Sequence, residues 1–134
     1  MNVLVDTSVW SRVLRRAQPH IDSWTRELAE LIREGRAVMI GPIRQELLSG
    51  VGNTEQLNLL RNNLRAFPDL LIATPDYEEA ASFFNRCRAR GIQGSNVDFL
   101  ICAVACRREL AIFTTDNDFA AFAKVLPITL HRTR

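Results

Sequence analysis

The chain has 134 residues, 47% of them apolar and 24% charged, with a formal net charge of +2 at pH 7. That length fits one domain, residues 1–134, with enough apolar material for a core that needs no disulfide staples. The small charge gives no independent argument for nucleic acid, no run of about 18 apolar residues marks a transmembrane helix, and the N-terminus lacks the basic-then-apolar pattern of a signal peptide.

In chain order, the apolar run within 2–6 predicts a first strand, NVLVD, ending on a carboxylate. A helix follows Asp6, with Val9, Trp10, Val13 and Leu14 on one face and Arg12, Arg15 and Arg16 on the other. Residues 21–34 carry apolar side chains at 21, 24, 28, 31 and 32, the period of an amphipathic helix. A second strand is predicted over 37–40. A helix over 42–49 then enters through Gly41-Pro42. Helix 54–67 places Leu57, Leu60, Leu64 and Phe67 in register, strand 70–73 follows, and helix 76–90 comes next. Residues 96–109 are apolar almost all round, so a buried helix is expected there. Strand 111–114 and a weaker strand at 128–130 complete the set. Short apolar runs alternating with helices predict an α/β fold with a mostly parallel sheet and helices on both faces.

The acids fall in a pattern that this architecture makes meaningful. Ligands of open parallel sheets bind beyond the carboxyl ends of the strands. Asp6 ends the first strand, and Asp116 follows the strand AIFTT. Glu46 lies about one helical turn past the tight turn after the second strand. Asp98 opens the helix that feeds AIFTT, so it reaches the same edge from the other direction. Asp118 is a fifth candidate. Gathered carboxylates raise one another's pKa unless a cation joins them, and an all-oxygen donor set suits Mg²⁺ or Mn²⁺ better than zinc. One divalent ion would leave four acids with two surplus negative charges; two ions would balance them, as in two-metal phosphodiester hydrolysis. Each acid taken singly also has an ordinary reading: Asp6 as a helix cap, Asp98 as a first-turn acid favoured by the helix dipole, Asp116 as a turn residue and Glu46 as a solvated side chain.

The ordered set VLVDTSVW, PIRQELLSG, SNVDFLICAVA and FTTDNDF resembles the PIN domain, and most closely the toxin ribonuclease of bacterial VapBC toxin–antitoxin modules. The resemblance runs from residue 2 to about residue 130. It implies an α/β/α sandwich around a parallel sheet and Mg²⁺-dependent endoribonuclease activity on single-stranded or loop RNA, often a tRNA. It assigns the family acids to Asp6, Glu46, Asp98 and Asp116, with Asp6 and Asp98 as the main direct ligands of the first ion. Glu46 and Asp116 would ligate directly, through water or at a second site. Asp118 matches a position where the family often has an acid, and Thr114 and Ser8 fall where hydroxyls orient the carboxylates. Phe99 and Cys102 stand where smaller residues are common. The resemblance further implies a VapB-type antitoxin partner, an apolar groove near the site involving Trp10 and the helix residues after Glu46, and a homodimer.

The remaining features are read more plainly. Arg12, Arg15, Arg16 and Arg44 could grip RNA phosphates, with a solvated face as the ordinary alternative. All but one of the 17 basic residues are Arg, a bias that genome composition explains more simply than function does. Cys87, Cys102 and Cys106 are odd in number with no CxxC spacing, which suits buried thiols in a reducing cytoplasm. His20 and His131 lie outside the acidic motifs, so a histidine base is not expected. Two other classes stay open. A Mg²⁺-dependent phosphatase or phospho-acceptor domain is disfavoured by Ser8 at its second-acid position and by Lys124, which ends no strand. A non-catalytic module with an acidic pocket is disfavoured by the complete acid set.

Overall fold

The apolar triplet Val3–Val5 forms β1 and is wholly buried, as the centre of a parallel sheet requires. The computed structural model describes residues 1–14 and 22–134. After β1 come α1 (Thr7–Leu14), α2 (Ser23–Arg33), β2 (Ala37–Val38), α3 (Gly41–Leu48), α4 (Thr54–Leu64), α5 (Thr74–Ala89), α6 (Asn96–Arg107), β3 (Ala111–Phe113), α7 (Asp118–Ala123) and β4 (Thr129–Leu130). The strand order is β2-β1-β3-β4 and every pairing is parallel, with Val3 opposite both Ala37 and Ala111. Right-handed crossovers that run from β1 towards β2, and then the other way to β3 and β4, put α1–α2 on one face and α6–α7 on the other. The result is the expected α/β/α sandwich.

Local chemistry sets the helix bounds. Asp22 caps α2 by accepting from Thr25 N at 2.8 Å, and Asn53 caps α4 from Gln56 N at 3.0 Å. Pro42 and Pro75 occupy first-turn positions of α3 and α5, where a missing N–H costs nothing. Gly91, with φ of 75°, ends α5 in a left-handed conformation that a side chain would strain. The all-round apolar helix is buried as expected, with Phe99 through Ala105 in the core. Phe99 there packs edge-on against Phe84 and tilted against Phe122.

Two elements depart from the expectation. Residues 70–73 form no strand: a single bridge joins Met39 to Asp69, and Leu70 N donates to Met39 O at 2.8 Å. Beyond it the backbone is claimed by side chains, Leu71 O by Arg108 and Ala73 N by Asp76, while Leu71 itself is exposed. The second is α7, six residues that no strand or helix pattern predicted, anchored by buried Phe119 and Phe122. The predicted start of α2 at residue 21 lies outside the described residues.

Candidate metal-binding active site

Chain connections diverge between β1 and β3, since β1 leads away to β2 while β3 leads the other way to β4. Such a switch point opens a crevice beyond the strands' carboxyl ends. Asp6 and the segment Thr114–Asp116 emerge there, joined by a bond from Asp6 N to Phe113 O at 2.9 Å. Asp6 is almost fully buried. Its Oδ2 accepts from Ser8 Oγ at 2.7 Å and from Thr114 Oγ1 at 2.8 Å. The two hydroxyls lie 3.2 Å apart. Ser8 Oγ also accepts from Thr115 N, and Thr114 Oγ1 from Asp116 N, each at 3.0 Å. One compact network thus locks the turn after β3 to the start of α1. The carboxylate of Asp6 takes hydroxyls here rather than helix N–H groups, so it is not a side-chain cap of α1.

The other acids each give up one oxygen and keep one. Asp98 forms a capping box with Ser95: Asp98 N donates to Ser95 Oγ and Ser95 N to Asp98 Oδ2, both at 3.0 Å. Asp116 Oδ1 accepts from Asp118 N at 2.9 Å. Glu46 Oε1 accepts from Thr7 Oγ1 at 2.7 Å. The ordinary structural roles are therefore real for Asp98 and Asp116, and they leave Oδ1 of Asp98, Oδ2 of Asp116, Oε2 of Glu46 and Oδ1 of Asp6 without a hydrogen bond among the described residues. Thr7 was not anticipated as a partner. Its neighbour Ser8 drew attention through Asp6, and nothing in a linear sequence pairs residue 7 with residue 46.

Among the buried acids, charge compensation sets Asp6 apart. Buried Glu27 is paired with His131 at 2.6 Å and Arg134 at 2.8 Å, and buried Asp76 with Arg107 at 3.0 Å and Arg108 at 2.7 Å. Among the described residues, none of Asp6, Glu46, Asp98, Asp116 and Asp118 has a basic partner. Asp98 is accordingly held above the usual carboxylate range, chiefly by burial and further by the charges of Asp6 and Asp116, against the lowering bonds from Ser95. Burial, and next the Asp98 charge one helical turn away, also push the Cys102 thiol up, so it is an inert core group. Among the described residues no three Asp, Glu, His or Cys side chains stand close enough to grip an ion as they are. The chemistry of the donor set nonetheless fits a hard divalent cation: carboxylate oxygens only, unpaired and mutually repelling.

The arginines fare differently. Arg12 is committed to Asp22 at 2.8 Å and lies 4.5 Å from the centre of the Trp24 ring. Arg44 is tied to Asp69, to Leu64 O at 3.0 Å and to Phe67 O, so all three of its nitrogens are occupied inside the protein. Arg44 thus pins the end of α4 to α3: the solvated alternative is untrue of it, and its nitrogens are already bonded within the protein. Arg15, Arg16 and His20 lie outside the described residues. A groove of about 500 Å³, of mixed polar and apolar lining, runs past Leu14, Val51, Leu59 and Leu60 and past Gln56 and Asn63. Through Leu14 and Asn63 it meets a smaller hollow walled by Trp10, Leu28 and Phe67. Trp10 is fixed there by its Nε1 bond to Val5 O at 3.1 Å. No helix is long and apolar enough to cross a membrane among the described residues.

No curated protein matches the sequence. By fold, the chain is similar to FitAcB from Neisseria gonorrhoeae, with 23% identity, 96% of each chain covered and a TM-score of 0.77. It is similar also to VapBC2 from Rickettsia felis bound to a DNA fragment from their promoter, with 16% identity, 98% of each chain covered and a TM-score of 0.76. DNA-bound VapBC from Salmonella typhimurium shares 16% identity over 98% of this chain and 97% of that one, at a TM-score of 0.76. The model of the PIN domain, a family whose members are generally nucleases using divalent metal ions, matches residues 3–125. With that match across nearly its whole length, this chain belongs to the PIN-domain family.

Proposed function

We propose that this protein is a Mg²⁺-dependent endoribonuclease, the VapC-type toxin of a toxin–antitoxin pair. The observation that carries the reading is the set of uncompensated carboxylates at the β1/β3 crevice, in a chain where the other buried acids are paired with basic side chains. One or two ions, Mg²⁺ or Mn²⁺, bound by Asp6 and Asp98 with Glu46, Asp116 and Asp118 completing the set, would lower the pKa of a water and offset charge developing on the cleaved phosphodiester. The protein's own part is orientation. Ser8 and Thr114 fix one oxygen of Asp6, which leaves the other to face the crevice. Ser95 does the same for Asp98, the Asp118 amide for Asp116 and the Thr7 hydroxyl for Glu46.

The toxin role draws its support from the solved relatives, which are toxin–antitoxin complexes. The hollow at Trp10 and Leu28 and the mixed groove past Leu14 and Leu59 would receive a segment of a VapB-type antitoxin. Pairing of two copies as a homodimer, action in the cytoplasm and a tRNA among the targets belong to the same proposal. The test is cleavage of cellular RNA by purified protein. Activity with Mg²⁺ or Mn²⁺ is expected, stopped by EDTA and lost in Asp6→Asn and Asp98→Asn. Hydrolysis of small phosphomonoesters with no RNA cleavage would replace this reading with a phosphatase.

A further inference from the structure

With Arg12 and Arg44 engaged inside the protein, a different pair of cations stands free at the end of α5. Arg88 and Arg90, at the end of α5, are exposed, and among the described residues neither guanidinium makes a hydrogen bond or ion pair. Arg88 lines a cleft of about 250 Å³ together with Phe84, Ile92, Gln93, Gly94 and Phe99. Two of these residues touch the acid site through the chain itself. Phe99 directly follows Asp98, and Gly94 directly precedes Ser95, whose N–H holds Asp98 Oδ2. Gly94 is pressed onto the aromatic floor: a Cβ there would stand 2.6 Å from Phe122 Cζ and 3.0 Å from Phe99 Cε2. Gly94 and Phe99 thus connect the cleft directly to the segment that carries Asp98. Phe84 meets Phe99 edge to face, with centroids 5.5 Å apart, and is half-buried, so part of its ring is open to the cleft.

An accessible ring, a free guanidinium and an amide next to acids that repel phosphate make up the chemistry of a single-stranded nucleic-acid platform. The cleft is smaller than the roughly 300–1,000 Å³ of pockets for drug-sized ligands, which suits one nucleobase. We infer that this cleft binds one nucleotide of the RNA substrate beside the scissile phosphate, with its base on Phe84, its edge at Gln93 and flanking phosphates on Arg88 and Arg90. The inference rests on the ribonuclease reading. Arginines at a helix C-terminus also favour the helix dipole, but that role alone would not change RNA binding.

The experiment is fluorescence anisotropy of a labelled single-stranded oligoribonucleotide in EDTA, where binding is read without cleavage, over a range of salt. Arg88→Ala and Arg90→Ala are each expected to weaken binding and to reduce the slope of log K against log salt by about 0.7 per lost phosphate contact. Phe84→Ala is expected to weaken binding about fivefold or more with the slope unchanged, and Phe84→Leu, which keeps an apolar side chain against Phe99, shows the same loss if stacking is the cause. Arg61→Ala, on α4, serves as the control with parental binding. A double variant Arg88→Ala/Arg90→Ala with the parent's affinity and slope overturns the cleft. A parallel Mg²⁺ cleavage assay on the parent separates the two claims. If the parent cleaves RNA and the double variant binds as the parent does, only the cleft is wrong. If the parent neither binds nor cleaves RNA, the ribonuclease reading falls and the cleft with it.

Discussion

Replacing Thr114 by Val tests whether the hydroxyl network serves the acids or merely closes a turn. Thr114 Oγ1 donates to Asp6 Oδ2 and accepts from Asp116 N, so one half-buried oxygen positions two acids. Val keeps the shape and removes both bonds. A hydrogen bond to a charged group contributes roughly 1.5–3 kcal/mol, and partial solvent access favours the lower end, about 1.5 kcal/mol. At about 2.1 cal/mol/K per residue, the unfolding entropy of this chain is roughly 0.28 kcal/mol/K, so the melting temperature should fall by about 5 °C. The larger effect is expected on metal. Loss of an orienting partner usually weakens binding about 10- to 100-fold. Calorimetric titration of Mn²⁺ into the RNA-free protein measures this directly, beside a thermal melt. Thr114→Ser should restore both quantities. A Thr114→Val protein that melts lower yet binds Mn²⁺ like the parent would show that the network is structural and that its link to the site is wrong.

Other substitutions make separate demands. Thr7→Val, which releases Glu46, should slow RNA cleavage about tenfold while moving the melting temperature by less than about 2 °C; an unchanged rate would remove Glu46's restraint from the mechanism. Asp98→Asn keeps the acceptor for Ser95 N but removes a charge that burial, Asp6 and Asp116 disfavour. Because the folded pKa is raised, the penalty exists above that pKa and fades as pH falls through it, so metal-free Asp98→Asn should melt no lower than the parent at pH 7, with any advantage vanishing in acid. Asp76→Asn should lose about 3 kcal/mol, or about 10 °C, because it strands Arg107 and Arg108. The bonds from Ala73 N and the two arginines outweigh burial and hold Asp76 below its ordinary 3.8, so its stabilisation is present above that value and lost as pH falls through the depressed one. The variant's melting temperature should thus be flatter than the parent's below about pH 4; matching acid limbs would contradict that assignment.

The sheet and the acid positions were legible because two strong regularities coincide: apolar triplets long enough to be buried on both faces, and acids at their ends. What was not legible depends on partners remote in sequence. Residues 70–73 read as a strand by composition, yet Arg108, 37 residues on, takes the Leu71 carbonyl, and the local cap by Asp76 takes the Ala73 amide. Arg44 looked free because its helical position says nothing of the carbonyls at Leu64 and Phe67 that claim it. The bond from Thr7 to Glu46 spans 39 residues, and Gly94 gains its meaning only from the ring of Phe122 beneath it. The helix α7 is too short for a period to emerge, and its two buried phenylalanines act through packing alone.

The capping box that holds Asp98 and the ladder that holds Asp6 differ in how they come apart. Asp6 N is bonded to a strand carbonyl between the two innermost strands, so its amide should exchange with solvent hydrogen only when the whole molecule unfolds. Asp98 N is bonded to a serine side chain at an exposed helix start, which can open while everything else stays shut. The two acids of the crevice are thus expected to differ in permanence: the Asp6 amide is to be protected as long as the fold itself, and the Asp98 amide only as long as its helix start stays closed.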